Sequence, residues 1–82
     1  MQKRTAHSTL GTLPHGRGAT VLNVLGPRVI AMRLMEMGLV PGASISVVRS
    51  APLGDPLQIK LRDYHLALRR TEAELINVAF AD

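Results

Sequence analysis

The sequence predicts a mainly β domain, a small and strongly bent antiparallel sheet or partly open barrel with one inserted helix. Several short segments are rich in aliphatic and β-branched residues, and one of them, residues 57–62, alternates apolar with polar side chains. Short turns containing Gly, Pro and Asp separate these segments, as is typical of antiparallel hairpins. Only residues 27–37 have apolar side chains at helical spacing, which argues against a parallel α/β fold.

The N-terminal part of the chain contributes the first predicted strand. Residues 1–8 are polar and predict a flexible N-terminus, and residues 9–82 form a single domain. Leu10 and Leu13 lie among glycine and proline, so we expect them to pack against the domain without forming a long strand. Residues 19–25 are rich in Val and Leu and end at a Gly-Pro pair, which predicts a strand.

The predicted helix follows at residues 27–37. Ile30, Leu34 and Met37 recur at i, i+4 and i+7, and Met35 is predicted to lie close to the same face. We therefore expect the helix to bury one side against the sheet.

Glycine and proline are predicted to end the helix and to form the turn that follows it. Gly38 is predicted to end the helix in a left-handed conformation, which makes Leu34 and Leu39 the apolar pair of a Schellman motif. Pro41 and Gly42 then occupy the central positions of a predicted type II turn.

Further strands bring the predicted total to about five. They are residues 44–50, 57–62, 65–70 and 76–80. Before the last strand, residues 71–75 predict a short helical turn, with Thr71 as its N-cap and Glu74 completing a capping box.

Composition limits the classes of function. The chain has 82 residues, no cysteine and a formal net charge of +4. It therefore predicts one domain without disulfides or thiolate metal sites, and its charge favours an anionic partner. No apolar run reaches the ~18–20 residues of a membrane span, and the N-terminus lacks the apolar region of a signal peptide. These features predict a cytoplasmic protein.

Few side chains suggest catalysis or metal binding. The serines have no recognisable base partner, and the glycine-rich residues 11–18 lack the Lys and Ser/Thr of a phosphate-binding loop, so no enzyme is predicted. No cofactor is required by the pattern. His15 and His65 are the candidate ligands for a divalent ion such as Fe²⁺ or Zn²⁺, although their spacing matches no metal motif. Methionines 32, 35 and 37 are interpreted as core residues.

A basic sheet face is a further alternative, as in small barrels that bind nucleic acid. The residues that could line it are Arg49, Lys60, Arg62, Arg69 and Arg70. Single-strand binding also needs stacking rings, which Tyr64 alone does not supply, so we predict no nucleic acid partner.

Three motifs in order identify a family resemblance. They are "MGLVPG" (37–42), "APLGDPLQI" (51–59) and "LALRRTEAELI" (66–76). Residues 10–78 thereby resemble the ferrous-iron transport protein A (FeoA-like) family. Family members often have a glycine in the turn before the "LALR" strand, where this chain has Asp63 and Tyr64. This difference affects only the predicted type of that turn.

The resemblance implies an SH3-like barrel and a role without a reaction. Members are regarded as cytoplasmic accessory or regulatory proteins of ferrous iron uptake. The implied partner is a membrane permease, ferrous-iron transport protein B, which carries a cytoplasmic G-protein domain. The implied mechanism is protein–protein interaction, including regulation of GTP turnover. The alternatives are a metal-responsive domain that binds a divalent transition metal itself, and a small basic nucleic-acid-binding barrel.

The loop at residues 51–56, which we call the docking loop, is the predicted partner-binding site. Its candidate residues are Pro52, Leu53, Gly54, Asp55 and Pro56. The prolines stiffen the loop, and a rigid loop loses less entropy when it docks. Leu53 is an apolar residue in a turn that otherwise meets water. It is either an exposed anchor for a partner or a residue that folds back onto the barrel rim.

Basic residues also suggest a weak association with a membrane surface. Arg28, Arg33, Lys60 and Arg62 would attract anionic lipid by about 1 kcal/mol each when close to the surface. Membrane proximity through the permease and self-association both remain open from the sequence.

Overall fold

The computed structural model describes residues 5–81 of the chain. Its elements, in chain order, are β1 (Thr5–Thr9), a 3₁₀ turn (Leu10–Thr12), β2 (Gly18–Val24), α1 (Arg28–Glu36), β3 (Ser44–Ser50), β4 (Leu57–Leu61), β5 (Tyr64–Leu68), α2 (Arg70–Ala73) and β6 (Ile76–Ala81). No helix among these residues is long and apolar enough to cross a membrane.

The six strands form one antiparallel sheet in the order β1-β6-β2-β3-β4-β5. This confirms the predicted mainly β class with an inserted helix. Irregular register interrupts the pairing of β2 with β6 and of β3 with β4. Bulges of this kind bend strands and increase their twist, which allows a short sheet to curve around its own core.

The strand β1 was not predicted by the sequence. Thr5–Thr9 pairs along its whole length with β6. Its sequence is polar and does not alternate with apolar residues, so no local pattern indicates a strand. Hydrogen bonding between its backbone and that of β6 holds it in the sheet. The predicted flexible N-terminus is therefore wrong at residues 5–8, and residues 1–4 lie outside the described part of the chain.

The core is aliphatic and is enclosed by the curved sheet and α1. Leu10 and Leu13 are buried without belonging to a strand, as predicted. The fully buried members with the largest side chains are Leu10, Leu34, Leu39, Leu57, Ile59, Leu61, Leu68, Ile76, Val21, Val47 and Val78.

The helix α1 buries a narrower stripe than its apolar pattern predicts. The stripe consists of buried Ala31 and Leu34, with Ile30 and Met37 partly buried. Met35 is 39% exposed and Met32 is 47% exposed, so the prediction that they fill the core is wrong. Successive helical residues are about 100° apart, and Met35 therefore lies at the margin of the contact that Leu34 makes.

The end of α1 forms the predicted Schellman motif. Gly38 has φ +105, its N–H donates to the Met35 carbonyl at 2.9 Å, and the Leu39 N–H donates to the Leu34 carbonyl at 3.2 Å. The next turn is also confirmed, because Gly42 has φ +90 and the Ala43 N–H bonds back three residues at 3.0 Å.

Tyr64 connects the β4–β5 hairpin to the end of α1. The turn consists of Arg62, with φ +55, and Asp63, so Tyr64 is the first residue of β5 rather than part of the predicted turn. The Tyr64 hydroxyl donates to the Met37 carbonyl at 2.6 Å. This bond satisfies a carbonyl at the helix end, where carbonyls lack partners within the helix.

Replacing Gly38 by alanine is expected to destabilise the protein by about 1–3 kcal/mol. The new Cβ would lie 2.8 Å from the Tyr64 Oη and 3.2 Å from a Leu61 methyl carbon, in a backbone conformation that L side chains rarely adopt. Gly42→Ala is the matched control, because Gly42 also has positive φ but a Cβ added there would meet no atom within 4 Å. Urea unfolding measures both, and equal losses would contradict a contribution from the Tyr64 contact.

The N-cap of the second helix, α2, lies two residues before its predicted position at Thr71. Arg69 is the N-cap, and the Glu72 carboxylate accepts a hydrogen bond from the Arg69 N–H at 2.9 Å. Thr71 therefore lies inside the helix, and Glu72 rather than Glu74 provides the acidic half of the capping arrangement.

Candidate partner-binding surface

The docking loop between β3 and β4 is closed by its own backbone. The Ala51 N–H donates to the Pro56 carbonyl at 2.9 Å, and the Gly54 N–H donates to the Ala51 carbonyl at 2.7 Å. Gly54 has φ +88, a conformation that favours glycine. Leu53 lies in the tight turn that results and is 97% exposed, so the interpretation that it folds back onto the barrel rim is wrong.

Arg70 fastens the docking loop to the barrel. Its Nε and Nη2 donate to the Gly54 carbonyl at 3.1 and 3.0 Å, and its Nη1 donates to the Gly11 carbonyl at 2.9 Å. The Arg70 backbone N–H donates to the Asp55 Oδ1 at 3.0 Å. Asp55 therefore accepts from the first turn of α2, where a carboxylate is favourable.

These contacts give structural roles to Arg70 and Asp55. Arg70 was one of the residues considered for the alternative of a basic sheet face, yet its guanidinium joins two loops through backbone carbonyls. Asp55 was a candidate for a partner contact, and one carboxylate oxygen is already engaged by α2. The exposed residues of the loop are Pro52, Leu53, Asp55 and Pro56. The fixed backbone presents the Leu53 side chain to solvent.

An open groove of about 670 Å³ lies beside the docking loop. Its lining residues are Arg49, Ser50, Ala51, Pro52, Pro56, Gln58, His65, Leu66 and Ala67. The docking loop contributes apolar residues to this groove, and β3, β4 and β5 contribute polar and basic residues together with Leu66 and Ala67.

The two predicted metal ligands lie on different elements. His15 is in the turn before β2, which is held by a hydrogen bond from the Gly16 N–H to the Val47 carbonyl at 2.7 Å. His65 is on β5 and lines the groove. Within residues 5–81, no three or more His, Asp or Glu side chains converge in a group that could hold a metal ion.

The basic residues considered for the alternative of one basic sheet face do not all lie on one face, and Arg62 lies in the turn between β4 and β5. Arg49 and Lys60 lie on neighbouring strands, whereas Arg69 and Arg70 lie at the start of α2. On the helical side, Arg33 forms an ion pair with Glu72 at 2.8 Å, which joins α1 to α2 and lowers the positive charge available to a membrane.

Comparison with known proteins assigns the family. A model of the FeoA domain matches residues 8–79. This chain belongs to the FeoA domain family. The chain is also 42% identical, over 69 residues, to an Fe(2+) transport protein A/Fe(2+) transporter FeoB fusion protein of Porphyromonas gingivalis. That match covers 84% of this FeoA domain and 8% of the fusion protein, so the chain spans a small part of its relative.

Solved structures of FeoA proteins share the fold. The FeoA protein of Chlorobium tepidum has a TM-score of 0.81 and 42% identity, covering 88% of this chain and 69% of that chain. The zinc complex of Stenotrophomonas maltophilia FeoA, described as a prokaryotic SH3 domain protein, has a TM-score of 0.72 and 35% identity, covering 90% and 88%. The SH3-like fold that the resemblance implied is thereby confirmed. The FeoA family is associated with ferrous iron transport.

Proposed function

We propose that this FeoA domain is a non-enzymatic cytoplasmic accessory of ferrous iron uptake that binds the cytoplasmic G-protein domain of the iron transporter through the docking loop. The observation that carries the proposal is Leu53, 97% exposed in a loop that Arg70 holds in place. A small domain gains nothing in stability from a leucine in that position. An apolar side chain on a preformed loop is suited to enter a pocket on a partner.

The fusion protein of P. gingivalis supports the choice of partner. It joins a FeoA part and a FeoB part in one chain. Joining two domains raises their effective concentration to the millimolar range when the linker is short, which favours an interaction that is weak between separate chains. For a free FeoA domain, the same contact has to be provided by its surface, and Leu53 of the docking loop is the most exposed of the large apolar side chains in residues 5–81.

Truncation of Leu53 is expected to weaken binding to the cognate transporter's cytoplasmic domain about tenfold. Burying a leucine side chain contributes roughly 1.5–3 kcal/mol, and alanine retains only part of that contribution. Isothermal titration calorimetry with Leu53→Ala against the unmodified protein measures the loss. The matched control is Leu25→Ala, because Leu25 is a 55% exposed leucine in the connection between β2 and α1.

The proposal predicts that Leu25→Ala binds like the unmodified protein. If Leu53→Ala retains full affinity, the docking loop is not the contact. If neither protein binds the cytoplasmic domain at concentrations well above a micromolar dissociation constant, the proposed partner itself is wrong.

A further inference from the structure

The outer face of β3, β4 and β5 carries a basic surface. Antiparallel pairing sets Ser46 opposite Lys60 and Lys60 opposite His65, and residues directly opposite each other project on the same face of a sheet. Lys60 and His65 are exposed, whereas the alternate residues of β4 are buried in the core. Lys60 therefore stands in the middle of a row that faces solvent.

A bulge in β3 adds Arg49 to this face. Val47 pairs with Ile59 and Arg49 pairs with Gln58, which leaves Val48 as the extra residue. Without the bulge, Arg49 would follow Val47 on the buried side of the strand. With the bulge, the Arg49 Nε donates to the Gln58 Oε1 at 2.7 Å on the outer face.

The result is a surface on which basic and apolar side chains line the same groove. We define the basic face as Arg49, Gln58, Lys60, His65 and Ala67, all from β3, β4 and β5. None of these residues is acidic, and all of them except Lys60 line the groove together with Ala51, Pro52 and Pro56 of the docking loop. A ligand that matches this surface carries negative charge along one side and an apolar group at one end.

We propose that the basic face binds an acidic peptide segment of the partner, with an aliphatic side chain of that segment seated in the groove next to the docking loop. This inference rests on the proposed function and specifies the chemistry of the partner segment. Complementary charge gives orientation and a faster association, and the groove provides apolar burial. Of the residues that define the face, only His65 carries a ring, whereas single-strand binding stacks successive bases on several rings, which favours a peptide over single-stranded nucleic acid.

The test uses a fluorescein-labelled peptide of glutamates with one central leucine and measures its affinity by fluorescence anisotropy. Lys60→Glu is expected to weaken binding about tenfold, because a favourable contact becomes a repulsive one on an exposed surface. Arg28→Glu is the matched control, since it makes the same change in net charge at the exposed start of α1, away from the basic face. It is expected to change the affinity less than about twofold. Replacing the peptide leucine by serine is expected to weaken binding to the unmodified protein.

Equal losses for Lys60→Glu and Arg28→Glu would overturn the inference, since attraction would then follow net charge rather than this face. Tighter binding of a single-stranded oligonucleotide or an anionic phosphatidylserine vesicle than of the peptide would also overturn it. The same variants are then titrated with the cognate transporter's cytoplasmic domain. Binding that Lys60→Glu does not change would refute the basic face and leave the proposed function intact. Peptide binding at the face without transporter binding would refute only the proposed function.

Discussion

Leu34→Ala is expected to lower the free energy of unfolding by about 2–5 kcal/mol. Leu34 is fully buried on α1, it belongs to the core cluster, and its carbonyl accepts a hydrogen bond from the Leu39 N–H at the end of the helix. Truncation removes apolar contacts and leaves a cavity in the aliphatic core. Small domains are stable by only about 5–15 kcal/mol, so the variant could be largely unfolded at physiological temperature.

Leu53→Ala is the matched control for this stability measurement. The two substitutions are chemically identical, and the exposure of Leu53 predicts a change within about 0.5 kcal/mol. Urea unfolding followed by circular dichroism measures both variants. A loss of stability at Leu53 comparable to that at Leu34 would mean that the loop leucine is part of the core, which would contradict its role as an exposed anchor.

Arg70→Ala is expected to destabilise the protein by about 2–4 kcal/mol and to release the docking loop. The substitution removes three guanidinium hydrogen bonds, two to the Gly54 carbonyl and one to the Gly11 carbonyl. Both carbonyls lose their charged donor in a partly buried setting, while the backbone bond to Asp55 can persist. Because the loop then has more conformations, partner binding should weaken even though Leu53 is unchanged.

Arg69→Ala controls for the loss of positive charge at the same end of α2. The Arg69 side chain is exposed, and we expect its removal to change stability by less than about 0.5 kcal/mol. Urea unfolding gives the stability, and amide hydrogen exchange at Gly54 reports loop opening directly. Unchanged protection at Gly54 in Arg70→Ala would show that the backbone bonds of the loop suffice without the arginine.

Local patterns in the sequence predicted much of the fold. The strand Ser44–Ser50 has the predicted bounds, because alternation and turn residues mark both of its ends. The termination of α1 at Gly38 was also predictable, since it depends on residues within one helical turn. The burial of Leu10 and Leu13 followed from apolar residues in a loop-like setting.

Features that depend on distant residues were not predictable. Arg70 binds carbonyls 16 and 59 residues away in sequence, and no local pattern indicates such a contact. The same is true of β1, whose position depends on β6 at the other end of the chain. The side on which Arg49 projects depends on a bulge, and a regular period-two pattern assigns it to the wrong face.

The exposure of Leu53 was left open by the sequence, because the same turn residues suit an anchor and a rim contact. The structure decides the exposure of Leu53, and binding to a partner remains the proposal that most needs a direct test.

That test is an amide-resolved NMR titration of the ¹⁵N-labelled protein with the cytoplasmic G-protein domain of its cognate transporter, with and without GTP. Our account predicts shifts confined to the docking loop and the adjoining basic face, with Leu53 among the residues most affected. Saturable shifts that lie wholly elsewhere, for example on α1, would contradict docking through the loop. The absence of any shift at high concentrations of both proteins would contradict the proposed function.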